Sequence, residues 1–287
     1  MNTTIWGPIF WSINDSIAMN SSFRHDELTN RQLLVLSRYI SCIFRLLPCM
    51  YCRGSALCFE NKFYSFANNI SENVNVLSHD DSWQLWLTAL QDNSLPSYMY
   101  TLHMLVNQKL DKQNKSKNVR YITFKQYQMR FRTCPLRCTV RNFVDQTGLL
   151  VTYIVHKIIR HQNMEKLIRD DNSSGTIDEQ YLNHAKNISS YFNCFYVYVM
   201  TMPSIVQFLF ENNSRNISIS TIFSHARKKF FKLVKEHAFD ESFECLDEWF
   251  IQNIWTPFSE TLPHAAQTNY PDDIMEQYRI VLSGCNK

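Results

Sequence analysis

Two cysteines separated by two residues, in Pro48-Cys49-Met50-Tyr51-Cys52, are the part of this chain best equipped for chemistry. A Cys-x-x-Cys puts two sulfurs one helical turn apart, close enough to close into a strained and therefore reactive disulfide. An apolar helical pattern (Leu33, Leu34, Leu36, Ile40, Ile43, Phe44, Leu47) leads into it. Pro48 suits a helix start, where its missing N–H has no partner to lose. The positive end of a helix dipole favours thiolate over thiol, making a cysteine there a better nucleophile and leaving group. The chemistry to expect is thiol–disulfide exchange.

A second group lies in His103-Met104-Leu105-Val106-Asn107-Gln108-Lys109-Leu110. His103 and Asn107 are four apart and share one helix face, with Val106 and Leu110 beside them. Two hydrogen-bonding side chains stacked on an apolar face point to a shared partner; a histidine satisfied within the core is the plainer alternative. Near the start, Trp6-Gly7-Pro8-Ile9-Phe10-Trp11 opens a helix, with Asp15 one turn beyond Trp11. Both tryptophans are either core or the wall of a site for a flat cofactor.

From Lys109 to Arg132 the chain is basic (Lys109, Lys112, Lys115, Lys117, Arg120, Lys125, Arg130, Arg132 against Asp111), with Tyr121, Phe124, Tyr127 and Phe131 interleaved. That pattern fits a solvated face, a phosphate-bearing cofactor or stacked single-stranded nucleic acid. A net charge of only +3 favours the cofactor and argues against nucleic acid. Cys134 and Cys138 form a further close pair, readable as a shuttle that carries electrons to Cys49. Cys194 and Cys245 are expected as buried thiols. Cys42, Cys49, Cys52 and Cys58 could be read as zinc ligands, but their spacing matches no zinc pattern and Cys42 falls in mid-helix, so no metal is expected.

The elements that must position these residues are helical. Five glycines against 20 Phe, 14 Tyr and 6 Trp leave few tight turns and much aromatic packing. Thr29-Asn30-Arg31-Gln32 has the form of a capping box at the start of the second helix. Further helices are expected over residues 49–66, from 80 and over 97–112. The pattern resumes from 142, then over 178–202, 204–212, 219–236, 241–255 and 272–282. The uncharged stretch 191–210 is long enough to weigh as a membrane span, but Asn193, Pro203, Gln207 and three tyrosines favour a buried helix broken at Pro203. The N-terminus has neither the basic nor the apolar region of a signal peptide. Nine cysteines then suggest redox chemistry more than an extracellular scaffold.

Taken together, Trp6-Gly7-Pro8 with Trp11, then Pro48-Cys49-x-x-Cys52, then His103-x-x-Val106-Asn107-x-x-Leu110-x-Lys112 resemble the Erv/ALR family of FAD-dependent sulfhydryl oxidases, especially the members from large DNA viruses. The resemblance covers roughly residues 1–135. It implies an all-α fold: a four-helix bundle holding FAD over residues 1–138, followed here by a second all-helical domain over 139–287 with no chemistry of its own. It implies oxidation of protein dithiols by oxygen with release of hydrogen peroxide, Cys49 and Cys52 as the catalytic pair, and a homodimer. Trp6, Trp11, Asp15, His103, Val106, Asn107 and Leu110 would line the FAD site, with Lys112 at a phosphate. In the catalytic pair, Cys49 would be the more accessible sulfur, attacked by substrate, and Cys52 the deeper one facing the flavin. The implied location is the host cytoplasm, at the viral assembly site, and the virion. Family members have His at the place of Asp15, and viral relatives often have His at the place of Ser55. A carboxylate near a diphosphate is repulsive, so the alternative is a structural or partner-binding protein on the same scaffold.

Overall fold

The computed structural model describes residues 3–67, 82–114, 121–132, 139–170, 176–210, 217–236, 245–261 and 271–282. Among them the regular elements are all helical. In chain order they are α1 (Thr3–Phe23), α2 (Asn30–Arg45), α3 (Met50–Ala67), α4 (Ser82–Gln91), α5 (Leu95–Asn114), α6 (Phe124–Arg132), α7 (Val140–Asp170), α8 (Thr176–Phe210), α9 (Ile217–Glu236), α10 (Cys245–Phe250), α11 (Thr256–Glu260) and α12 (Pro271–Leu282). The chain is all-α.

The spine is α2, and its start was legible. Thr29 Oγ1 accepts the Gln32 N–H at 3.3 Å, and Gln32 Oε1 accepts the Thr29 N–H at 2.9 Å. Two otherwise orphaned donors are thereby satisfied. Leu33, Leu36, Tyr39, Ile40, Ile43 and Phe44 repeat at helical spacing and are buried. One side of α2 packs on α8 and the other on α4, while α1 packs on α5 and α7.

α2 and α8 run antiparallel. Tyr39 meets Tyr198, with ring centroids 5.7 Å apart, and two turns later along α2 the Tyr191 hydroxyl donates to the Leu46 carbonyl. At the first of these rungs lies a buried polar knot: Gln146 Oε1 of α7 accepts from Tyr39 at 2.7 Å and from Tyr198 at 3.3 Å, and Thr147 Oγ1 lies 2.9 Å from the Tyr198 hydroxyl. Partners on three helices fix the register, because a slip would strand buried hydroxyls. The boundary placed at residues 138 and 139 is therefore no gap in packing. One continuous core holds Ile17, Ile43 and Leu102 together with Val151, Phe195 and Phe230.

The sequence reading also needs correcting at Pro203. The helix does not break there: α8 runs through it for 35 residues. An interior proline costs about 3 kcal/mol. Against that, Phe195, Tyr198, Val199, Met202, Ile205 and Val206 around it are almost wholly buried, each contributing about 1.5–3 kcal/mol. The stretch Ile188–Phe210 is the one described helix long and apolar enough to cross a membrane, and 61% of its most apolar window is buried inside the protein.

Candidate functional site

Cys49 and Cys52 are joined as a disulfide, with Cα atoms 5.1 Å apart. Cys49 immediately precedes α3, in the capping position, and its Sγ accepts the Cys52 N–H at 3.1 Å. The sulfur thus takes the place of a capping oxygen and sits at the positive end of the helix dipole, which stabilises it as a thiolate. The exposures reverse the sequence expectation. Cys49 is only 1% exposed, and Cys52 is the half-buried, more reachable sulfur.

That connection is bolted to the second half of the chain. Arg53 donates through Nη1 to the Leu47 carbonyl and, at 3.1 Å, to the Tyr153 hydroxyl of α7. Its guanidinium lies over the rings of Tyr153 and Tyr191, 5.5 and 5.4 Å from their centroids. With Tyr191 holding the Leu46 carbonyl, residues 46–53 are clamped by α7 and α8.

The second cluster forms between α1 and α5. The rings of Trp11 and His103 stack with centroids 4.1 Å apart and planes 3° from parallel. His103 Nδ1 lies 3.3 Å from Asp15 Oδ2, and the Tyr127 hydroxyl donates to Asp15 Oδ1 at 2.8 Å. Burial, then the neighbouring carboxylate, pushes the Tyr127 phenol far above its ordinary range, so it remains a donor. Trp11 also packs at 6.5 Å from Phe44 of α2. Farther along α5, Lys109 Nζ donates to Ser55 Oγ, three residues beyond Cys52 on α3. The middle of α5 thus touches the Trp11–Asp15 cluster, and its C-terminal half touches the redox helix.

Of the residues singled out from sequence, Trp11, Asp15 and His103 come together. Val106, Asn107 and Leu110 are half-buried on α5, and Lys112 is exposed near its end. Trp6 is buried edge-on to Phe10, 5.4 Å between centroids, and its Nε1 has no hydrogen-bond partner. Cys134 and Cys138 lie outside the described residues. Two of the interleaved aromatics are taken up within the fold: Tyr127 is buried on Asp15, and Phe124 packs 5.3 Å from Tyr100, while Tyr121 is exposed. Among the described residues no three His, Cys, Asp or Glu side chains group as a metal site requires.

These residues fit a flat, phosphate-bearing cofactor in kind. They offer an aromatic wall, an orphaned buried indole N–H, a half-buried amide at Asn107 and cations at Lys109 and Lys112. Both Asp15 carboxylate oxygens face polar partners within the protein, the Tyr127 hydroxyl and His103 Nδ1.

Sequence reasoning missed a buried group behind the redox helix. Glu60 of α3 is 1% exposed; its Oε1 accepts the Trp86 Nε1–H at 2.8 Å, and its Oε2 lies 3.7 Å from Arg45 Nη2, too far for a hydrogen bond. Burial pushes the Glu60 carboxyl up to about 7, with Arg45 and Trp86 opposing. The only signal was a glutamate at helical spacing among apolar residues. Also missed was the meeting of Cys42 with Cys194, which are distant in sequence.

Comparison with family models, curated proteins and solved structures finds no match.

Proposed function

We propose that this chain is an FAD-dependent sulfhydryl oxidase that forms disulfides in protein dithiols. The observation that carries the reading is a Cys-x-x-Cys disulfide capping a helix, on a helix tied by Ser55–Lys109 to a face bearing Trp11, His103 and Asn107. Trp6, Trp11, His103, Val106, Asn107 and Leu110 would hold the rings, and Lys109 and Lys112 the phosphates. The bound cofactor would supply two-electron acceptance from the dithiol and delivery to oxygen, giving hydrogen peroxide.

The chain's own part is exchange. A substrate thiolate attacks Cys52 Sγ, the reachable sulfur, and expels Cys49 as a thiolate. That leaving group is stabilised by the Cys52 N–H and the start of α3. The substrate's second thiolate then attacks its own sulfur in the mixed disulfide, releasing Cys52 and leaving the substrate oxidised. Arg53 and Tyr191 keep the turn in place throughout. The same reading carries a homodimer and a place in the host cytoplasm, at the viral assembly site, and in the virion.

The test is an absorption spectrum of the purified protein together with oxygen uptake on a small dithiol. Colourless protein that releases no flavin on denaturation, and consumes no oxygen, sinks the proposal. One observation favours a second reading as a structural protein: the His103 ring already covers a face of Trp11 and pairs with Asp15. The same spectrum separates the two.

A further inference from the structure

The register of α2 against α8 brings together two cysteines that the proposed oxidase does not use. Tyr39 faces Tyr198, and Leu46 is reached by Tyr191. Between those two rungs the Cys42 and Cys194 side chains lie within hydrogen-bonding reach of each other. Neither is in a disulfide; Cys42 is buried and Cys194 half-buried. The contact with Cys194, and then burial, hold Cys42 as a thiol, while Arg45 and Arg38 pull the other way. One sulfur of the pair can therefore be met by a small molecule, and the other waits behind it.

We infer that Cys42 and Cys194 are a second dithiol–disulfide couple, closed by low-molecular-weight disulfides of the glutathione type, that fastens α8 to the helix running into the Cys49–Cys52 turn. The step balances as two exchanges. Cys194, as thiolate, attacks one sulfur of the small disulfide; an S–S bond to Cys194 forms, the small disulfide's bond breaks, and one small thiolate leaves. Cys42 then attacks Cys194 Sγ and expels the second small thiolate. The two cysteine protons end on the two small thiols, and the electron pair reduces the small disulfide. The nearness of Cys42 to Cys194 favours the second step over a lasting mixed disulfide, since the resolving sulfur is already in place when it gives up its proton to the departing small thiolate. The couple stands whether or not the chain binds FAD.

Such a bond closes a loop of roughly 150 residues and restricts the unfolded chain accordingly. It would also hold α8, which carries Tyr191, against α2. The two clamp contacts at Leu46 and Arg53 would then be secured covalently one turn away.

The experiment uses the full chain, reduced and desalted, then exposed to glutathione disulfide. Free thiols are alkylated under denaturing conditions and the protein is digested without reduction. The expected result is a peptide linking Cys42 to Cys194, absent from Cys194→Ser. The wild type should also melt several degrees higher oxidised than reduced, and Cys194→Ser should lose that increment attributable to the link. Alkylation of both Cys42 and Cys194 in protein whose Cys49–Cys52 bond has formed overturns the inference. So does a glutathione adduct that persists on Cys194 beside a free Cys42, or a link from Cys42 to any other cysteine. Because Cys194 is only half-buried, the serine variant should fold; if it does not, the wild-type peptide map decides alone.

Discussion

Replacing Glu60 by Gln should flatten the pH dependence of stability between about pH 5 and 8. The Glu60 carboxyl is raised from its ordinary 4.5 to about 7 because burial penalises its charge more than Arg45 and Trp86 relieve it. The folded state therefore holds this proton more tightly than the unfolded state does. Stability is highest below the unfolded pKa, falls as pH rises through the window from 4.5 to about 7, and then levels. At about 1.4 kcal/mol per pH unit, the whole window amounts to about 3 kcal/mol, most of it between pH 5 and 8. Gln keeps an oxygen for the Trp86 N–H but has no proton to lose over this range. Urea unfolding of both proteins at pH 5, 6, 7 and 8, with the slopes compared, reads the effect and cancels other titrating groups. A variant that follows the wild-type pH slope in parallel would refute the assignment of the buried proton to Glu60.

Cys49→Ser should leave Cys52 quickly reactive with an aromatic disulfide reagent, whereas Cys52→Ser should leave a buried Cys49 reacting at least about tenfold more slowly, a difference of roughly 1.4 kcal/mol in barrier; equal rates would undo the assignment of the attacked sulfur. Tyr191→Phe removes the hydroxyl that holds the Leu46 carbonyl and should cost about 1 kcal/mol in chemical unfolding, with faster reduction of Cys49–Cys52 by a small dithiol. Gly148→Ala should destabilise by about 1–3 kcal/mol, because a Cβ there would run into the Tyr278 ring; unchanged melting would show that α12 moves aside freely. A chain ending at residue 138 should fail to fold cooperatively, since α2 would lose α8 and expose Tyr39, Cys42 and Leu46. A sharp unfolding transition in that fragment would support the division into two domains instead.

What the sequence disclosed was local. The capping box at Thr29, the α2 stripe and the shared face of His103 and Asn107 each lie within a few turns of chain, and local periodicity reports them faithfully. α6 was overlooked although its start carries the same device: Thr123 Oγ1 accepts the Gln126 N–H at 3.2 Å, and Gln126 Oε1 accepts the Thr123 N–H at 2.8 Å. Pro203 reads as a break because propensity is a local measure, and burial on every side of it is not. The Asp15–Tyr127 bond, the Cys42–Cys194 contact and the clamp at Arg53 join residues far apart in the chain, and no spacing rule reaches that far.

The clamp on the redox turn has a consequence for the order in which the molecule is made. A chain emerging from the ribosome presents Cys49 and Cys52 long before Tyr153 and Tyr191 exist to grip Arg53 and Leu46. Contacts of such sequence separation form late, because the intervening loop must close first. Until α8 has been synthesised and has docked, the two cysteines sit on an unanchored turn. The anchoring of the pair is thus delayed until well over half of the chain has been made, and a nascent or broken chain carries the motif without the clamp that shields it.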